Sequence, residues 1–232
     1  MACTVSDADA MIAAAETAGV VLMPAHNVRF AKPFWAARLA VADGLVGDVV
    51  GVRSAFGHGG PKGWAPDSTW FFEPAESGGG ALIDLGIHAA DALRSVLADE
   101  VTDVGALIFG EPGQNELAGQ LLLRFAGGAV GSLHASWAAR PGPDHQLTIF
   151  GTEGTLHLDS ATPLTFRPAS GEPRKVDLPD RPPDLFAEFV AACTGGPAPS
   201  VTATDARQAL AIICGAYESA RTGRLVHLTP RT

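Results

Sequence analysis

The chain has no run of Lys and Arg, no uncharged apolar stretch of roughly 18 residues, and no cysteines at metal or redox spacing. Each absence excludes something. Nucleic-acid binders show a basic face, whereas this chain carries a net charge of −9, which points to a small molecule or another protein chain as partner. Without a long apolar run, no membrane-spanning helix is expected. Three cysteines, Cys3, Cys193 and Cys214, form no disulfide framework, and a sparse, odd count suits a reducing compartment. The start, Met1-Ala2-Cys3-Thr4-Val5-Ser6-Asp7, lacks the basic and apolar regions of a signal peptide. The expectation is a soluble, cytoplasmic protein.

What is present is apolar residue in quantity. Hydrophobic residues are 47% of the 232 and charged residues 18%, enough for one large core or two small ones. Ser6 followed by Asp9 resembles a capping box, with Met11, Ile12 and Ala15 at helical spacing and Gly19 as the stop. The apolar run Val20-Val21-Leu22-Met23 reads as a buried strand. A helix is predicted over 34–42 and a strand over 49–56. Residues 57–77 form a loop rich in Gly, Pro and Trp, and Gly78-Gly79-Gly80 opens a helix reaching Leu97. From Val101 the period changes to two, predicting strands at 103–109, 117–125, 129–138, 145–150 and 154–158. The turns between them lie at 110–113, Gly127-Gly128, Pro141-Gly142-Pro143 and 151–154, which implies an antiparallel meander. Residues 168–183 carry five prolines and read as a surface excursion. Two helices close the chain, one over 184–193. The other begins at Thr202 with Asp205 three residues on, buries Ala206, Ala209, Leu210, Ile213 and Tyr217, and ends at Gly223.

The most informative stretch is Gly78-Gly79-Gly80-Ala81-Leu82-Ile83-Asp84-Leu85-Gly86-Ile87-His88-Ala89-Ala90-Asp91. On a helix, Asp84, His88 and Asp91 share roughly one face. His88 titrates near neutrality and could exchange a proton, while Asp84 could orient it or contact a substrate hydroxyl. The preceding glycines leave room for a ligand at the helix N-terminus, and Gly86 suits a close approach to the helix. Two other readings fit the same spacing: a buried His satisfied by a neighbouring Asp, and metal ligation by Asp84, His88 and Asp91.

This stretch resembles the active-site helix of the Gfo/Idh/MocA oxidoreductases. Other segments resemble the same family in the same order: His26-Asn27-Val28-Arg29-Phe30, where the chain leaves the nucleotide domain; Gly151-Thr152-Glu153-Gly154-Thr155-Leu156, late in the sheet; and Asp205-Ala206-Arg207-Gln208-Ala209-Leu210 with Thr222-Gly223-Arg224, the closing helix. The resemblance covers essentially the whole chain.

It implies an α+β fold: a large, predominantly antiparallel (mixed) open sheet with helices packed on one face. Residues 1–25 would be a remnant of a dinucleotide-binding Rossmann domain, and 26–232 the substrate-binding and oligomerisation domain. Family members also carry a Gly-x-Gly-x-x-Gly fingerprint and a Glu-Lys-Pro segment with a catalytic Lys. This sequence has neither, and Gly57-His58-Gly59-Gly60-Pro61-Lys62-Gly63 has the wrong spacing. The chain is therefore expected to begin just after that Lys. By resemblance, a complete enzyme would move hydride between NAD or NADP and a sugar, polyol or related alcohol. His88 would exchange the hydroxyl proton and Asp84 would assist. Asn27, Arg29, His58, Trp64 and Trp70 are the expected substrate contacts, and no metal is expected. His134 is assigned to a sheet surface or subunit interface; His145, His157 and His227 to structural or solvated positions. The chain alone is expected to bind no cofactor tightly and to be inactive, and to pair as a homodimer or homotetramer through the open sheet face. The alternative is a non-catalytic ligand-binding or oligomerisation module derived from that family.

Overall fold

The computed structural model describes residues 1–111, 113–140, 142, 144–159 and 164–229. Of the predicted turns, Pro112, Pro141 and Pro143 lie outside the described residues. Helix α1 spans Val5–Ala18 and ends at Gly19 in the left-handed conformation. Its cap is Thr4, whose Oγ1 accepts from the Asp7 amide at 3.1 Å. The predicted Ser6/Asp9 box does not form, because Ser6 already lies inside the helix and Asp9 turns to the guanidinium of Arg207, 3.1 Å from its Nε. The predicted strand at Val20-Val21-Leu22-Met23 does not form either. A strand needs a hydrogen-bonded neighbour, and none lies alongside this segment among the described residues; Val20 is 61% exposed.

Helix α2 (Lys32–Ala42) leads into β1 (Val49–Gly57), and a long loop with a single helical turn, α3 (Pro74–Ser77), leads to the predicted Asp84–His88 helix. That helix opens as a π turn over Leu82–Gly86 and continues as α4, Ile87–Leu97. Strands β2 (Val101–Phe109), β3 (Ala118–Phe125), β4 (Val130–Ser136), β5 (Gln146–Gly151), β6 (Gly154–Leu158), β7 (Thr165–Pro168) and β8 (Arg174–Lys175) follow. Helices α5 (Leu185–Cys193) and α6 (Ala203–Thr222) and the short β9 (Val226–His227) complete the chain. The capping box of α6 is the predicted one: Thr202 accepts from the Asp205 amide at 3.0 Å, and Asp205 accepts from the Thr202 amide at 2.8 Å.

Among the described residues, nine strands form one sheet in the order β8-β7-β6-β5-β1-β4-β3-β2-β9. It is a meander with one insertion. Strand β1 lies between β4 and β5, parallel to the first and antiparallel to the second. Strands β3 and β6 alternate in burial along their length. Leu121, Leu133, Leu147, Ile149 and Leu156 are fully buried against the layer formed by α2, α4 and α6, while Leu122 and Phe150 point to the open face. The sheet and helices thus form the expected two-layer α+β arrangement. The layer contact also explains Gly86. A Cβ there would lie 3.4 Å from Ile213 of α6 and 3.5 Å from Ala135 of β4, so the close approach is made by the core and not by a ligand.

Candidate active site

The predicted site lies in a cavity of about 380 Å³ at the start of the π turn. Asp84, His88, His26, Trp70, Phe71 and Trp137 all line it. The π turn is held from β3's side of the fold. Glu116 is buried, and its carboxylate accepts from the Gly80 and Leu82 amides, each at 2.8 Å, and from the Tyr217 hydroxyl at 2.9 Å. The helix N-terminus that the glycines seemed to leave open to a ligand is filled by this carboxylate. The glycines make room for it: a Cβ on Gly80 would lie 2.0 Å from the Glu116 carbonyl oxygen, and one on Gly79 would lie 2.0 Å from the Tyr217 hydroxyl. Burial, with the Glu116 charge added to it, pushes the Tyr217 phenol far above its usual range.

Among the described residues, no hydrogen bond joins Asp84 to His88. Asp84 Oδ2 accepts from the indole Nε1 of Trp137 at 2.8 Å. Burial raises its carboxyl above the ordinary Asp value, and the Trp137 bond opposes that shift. His88 Nδ1 is buried with no hydrogen-bond partner among the described residues, and so is His26 Nδ1. The two rings meet edge to face, with centroids 5.7 Å apart. Burial lowers both imidazoles, that of His26 to about 4. Burial thereby favours the neutral form of each ring.

Several predicted contacts fall elsewhere. Arg29 is 6% exposed and faces away from the cavity, forming two hydrogen bonds to fully buried Asp91, from Nε at 2.8 Å and from a terminal nitrogen at 2.5 Å. It also donates to the Ser200 carbonyl at 2.9 Å. Asp91 is thereby a structural anchor, and of the three residues on that helix face Asp84 and His88 line the cavity. Among the described residues, no group of three His, Cys, Asp or Glu is placed to hold a metal. Asn27 is exposed and is not part of the cavity lining. Trp64 packs edge-on against Phe71, with centroids 4.9 Å apart, and anchors the loop outside the cavity. Trp70 does reach the cavity, stacked on Phe71 at 3.9 Å. His58 is not part of the cavity lining, and its Nδ1 accepts from the Gly60 amide at 3.0 Å.

Among the lining residues that the prediction did not name as contacts are Trp137 and His26. Trp137 continues the alternation of Leu133 and Ala135, so period two alone would have placed it on the helix-bearing face. His26 caps a short 3-10 turn, Asn27–Phe30, and no periodicity marks such a position.

Comparison with known proteins identifies the family and the fold. Residues 34–157 match the model of the GFO/IDH/MocA C-terminal domain. The chain is 30% identical to the 1,5-anhydro-D-fructose reductase of Ensifer adhaerens over 98% of its own length and 70% of the relative's. An aldose-aldose oxidoreductase from Caulobacter crescentus, solved with glycerol, superposes with a TM-score of 0.85 at 28% identity, over 98% of this chain and 70% of that one. A levoglucosan dehydrogenase solved with NADH and levoglucosan superposes at 0.83 with 25% identity, over 100% and 72%. With a family model across more than half its residues and a relative aligned over nearly all of them, the chain belongs to the Gfo/Idh/MocA oxidoreductases.

Proposed function

We propose that this chain is the substrate-binding portion of an NAD(P)-dependent oxidoreductase that moves hydride between the nicotinamide and a sugar, polyol or related alcohol. The observation that carries the reading is the convergence of Asp84 and His88 on one cavity, in a chain whose relatives are named as sugar reductases and dehydrogenases. Asp84, held by Trp137, keeps a buried carboxyl that can take a hydroxyl proton. His88 faces the same space, so the two hold and move the proton of one substrate oxygen. Trp70 and Phe71 supply an apolar wall of the kind a sugar ring packs against.

The described residues do not fit a dinucleotide. The segment 57–63 closes β1 and enters a 3-10 turn over Pro61–Gly63, with no strand-to-helix cradle. The amides ahead of α4 are already taken by Glu116. We therefore assign the cofactor to a nucleotide domain ahead of residue 26, of which residues 1–25 are the closing part, and derive no step through it.

The test is direct. The 232-residue chain with NAD(P) and a polyol panel should give no turnover. Joined in frame to the nucleotide domain of a levoglucosan dehydrogenase it should turn over, and His88→Ala should lower that rate roughly 10²- to 10⁴-fold. Turnover by the chain alone would overturn the division of labour, and an unchanged His88→Ala rate would remove His88 from the reaction. A second reading, an oligomerisation module, draws on the exposed apolar side chains of the open sheet face, through which we propose the subunits pair.

A further inference from the structure

We propose that His26 and His88 act as a pair, presenting two Nε2–H donors to a single carbonyl or hydroxyl oxygen of the ligand. The proposal rests on the substrate-binding reading above and assigns a subsite within it.

The argument starts from the two orphaned atoms. Folded proteins seldom leave a buried side-chain nitrogen unpaired, because the desolvated group has lost its water without gaining a partner. Here two such atoms, Nδ1 of His26 and Nδ1 of His88, belong to residues that line one cavity, and neither has a partner among the described residues. A neutral imidazole carries one N–H and one bare nitrogen. A buried N–H without an acceptor is the rarer and costlier defect, while a bare acceptor is better tolerated. The proton therefore sits on Nε2 in both rings. Burial supports this by favouring the neutral form of both rings.

The chemistry follows. Nε2 is the one nitrogen of each ring left to meet a ligand. The rings stand at 76° with centroids 5.7 Å apart, and both residues line the cavity. An oxygen with two lone pairs satisfies two such donors at once. Asp84 is the complementary group, an acceptor where the imidazoles are donors. In this resting tautomer His88 holds the oxygen and His26 positions it.

Long-range proton–nitrogen correlation of the imidazoles in the 15N-labelled chain above neutral pH reads the tautomers directly, with His26→Phe and His88→Phe as assignments. Both rings should show the Nε2–H form; an Nδ1–H form on either overturns the pair. Adding levoglucosan or glycerol should move the signals of both rings. His26→Phe should weaken levoglucosan binding roughly tenfold, the effect of one lost hydrogen bond. His26→Gln, which keeps a donor, should restore it. Levoglucosan binding that survives in His26→Phe but is lost in His88→Phe overturns the pair and leaves the proposed function standing. No response of either ring to either compound overturns both.

Discussion

The indole N–H of Trp137 ends 2.8 Å from Oδ2 of Asp84, and this bond, not one from His88, fixes the carboxylate in the cavity. Since burial raises the Asp84 carboxyl and the indole opposes the rise, Trp137→Phe should move its titration further up, read by 13C NMR of the carboxyl. The sign for stability is the reverse of the usual Asp case. A carboxyl raised in the folded state is protonated more readily there than in the unfolded chain, so stability falls as pH rises through the folded value. Asp84→Asn should therefore be more stable than the parent at neutral pH, by about 0.5–2 kcal/mol, with the gain vanishing in acid. A less stable Asn variant would contradict the strain placed here on Asp84.

Glu116 satisfies three buried donors at once, the Gly80 and Leu82 amides and the Tyr217 hydroxyl. Glu116→Ala should cost more than about 3 kcal/mol in urea unfolding, since all three lose their acceptor. Glu116→Gln keeps one oxygen and should cost less. The chain has one tyrosine, so its ultraviolet titration reports Tyr217 alone. Loss of the Glu116 charge should lower the Tyr217 phenol, though burial, the larger cause, persists.

The Arg29–Asp91 pair is buried on both sides, at 6% and 0% exposure. Removing Asp91 leaves Arg29 with the more distant Asp205 carboxylate, 3.8 Å from a terminal nitrogen, so Asp91→Ala should cost about 3 kcal/mol. Replacing both, as Arg29→Met with Asp91→Leu, should recover much of that loss. If the single variant were neutral, Asp91 would have to be free for the role in the cavity that its spacing first suggested.

These cases show what the sequence could and could not reveal. Local chemistry was readable where a few neighbouring residues decide the outcome: Thr202 with Asp205 caps α6, and Gly19 and Gly223 end their helices. The alternating strands were readable for the same reason. The place of β1 between β4 and β5 was not, because pairing across some 80 residues leaves no mark on period two. Helical spacing grouped Asp84, His88 and Asp91, but it could not reveal that Arg29, 62 residues earlier, claims Asp91. Nor could it show the π turn, which Glu116 supports from a distant loop.

His26 gives the fold a dependence on pH. Its imidazole is lowered to about 4, chiefly by burial, so the folded chain resists protonation that the unfolded chain accepts near 6.5. A depressed imidazole contributes stability above pH 6.5 and loses it as pH falls toward 4, on the order of 3 kcal/mol over that window. His145, also lowered to about 4 by burial, acts in the same direction. His26→Phe should therefore flatten, without abolishing, the fall in unfolding free energy between pH 6.5 and 4. An unchanged slope would mean that His26 is not held neutral.

The open sheet face sets the last expectation. Leu107, Phe109 and Leu225 are 79%, 66% and 68% exposed, and Leu122, on the central part of β3, is 64% exposed. Leu122, Val130, Phe150 and Leu225 border one hollow of about 560 Å³, with Arg53 and Arg124 beside them. Contiguous apolar side chains in a polar setting are what a subunit contact buries. If the chain pairs through this face, sedimentation should give a dimer or tetramer. A charge at Leu122 would then be buried without a partner, so Leu122→Lys should weaken assembly by about 2 kcal/mol or more, roughly 30-fold, while leaving the helix-side core and the unfolding transition of the monomer intact. A parent chain that remains monomeric at every concentration, or a Leu122→Lys variant that assembles as tightly as the parent, would remove this face from the assembly.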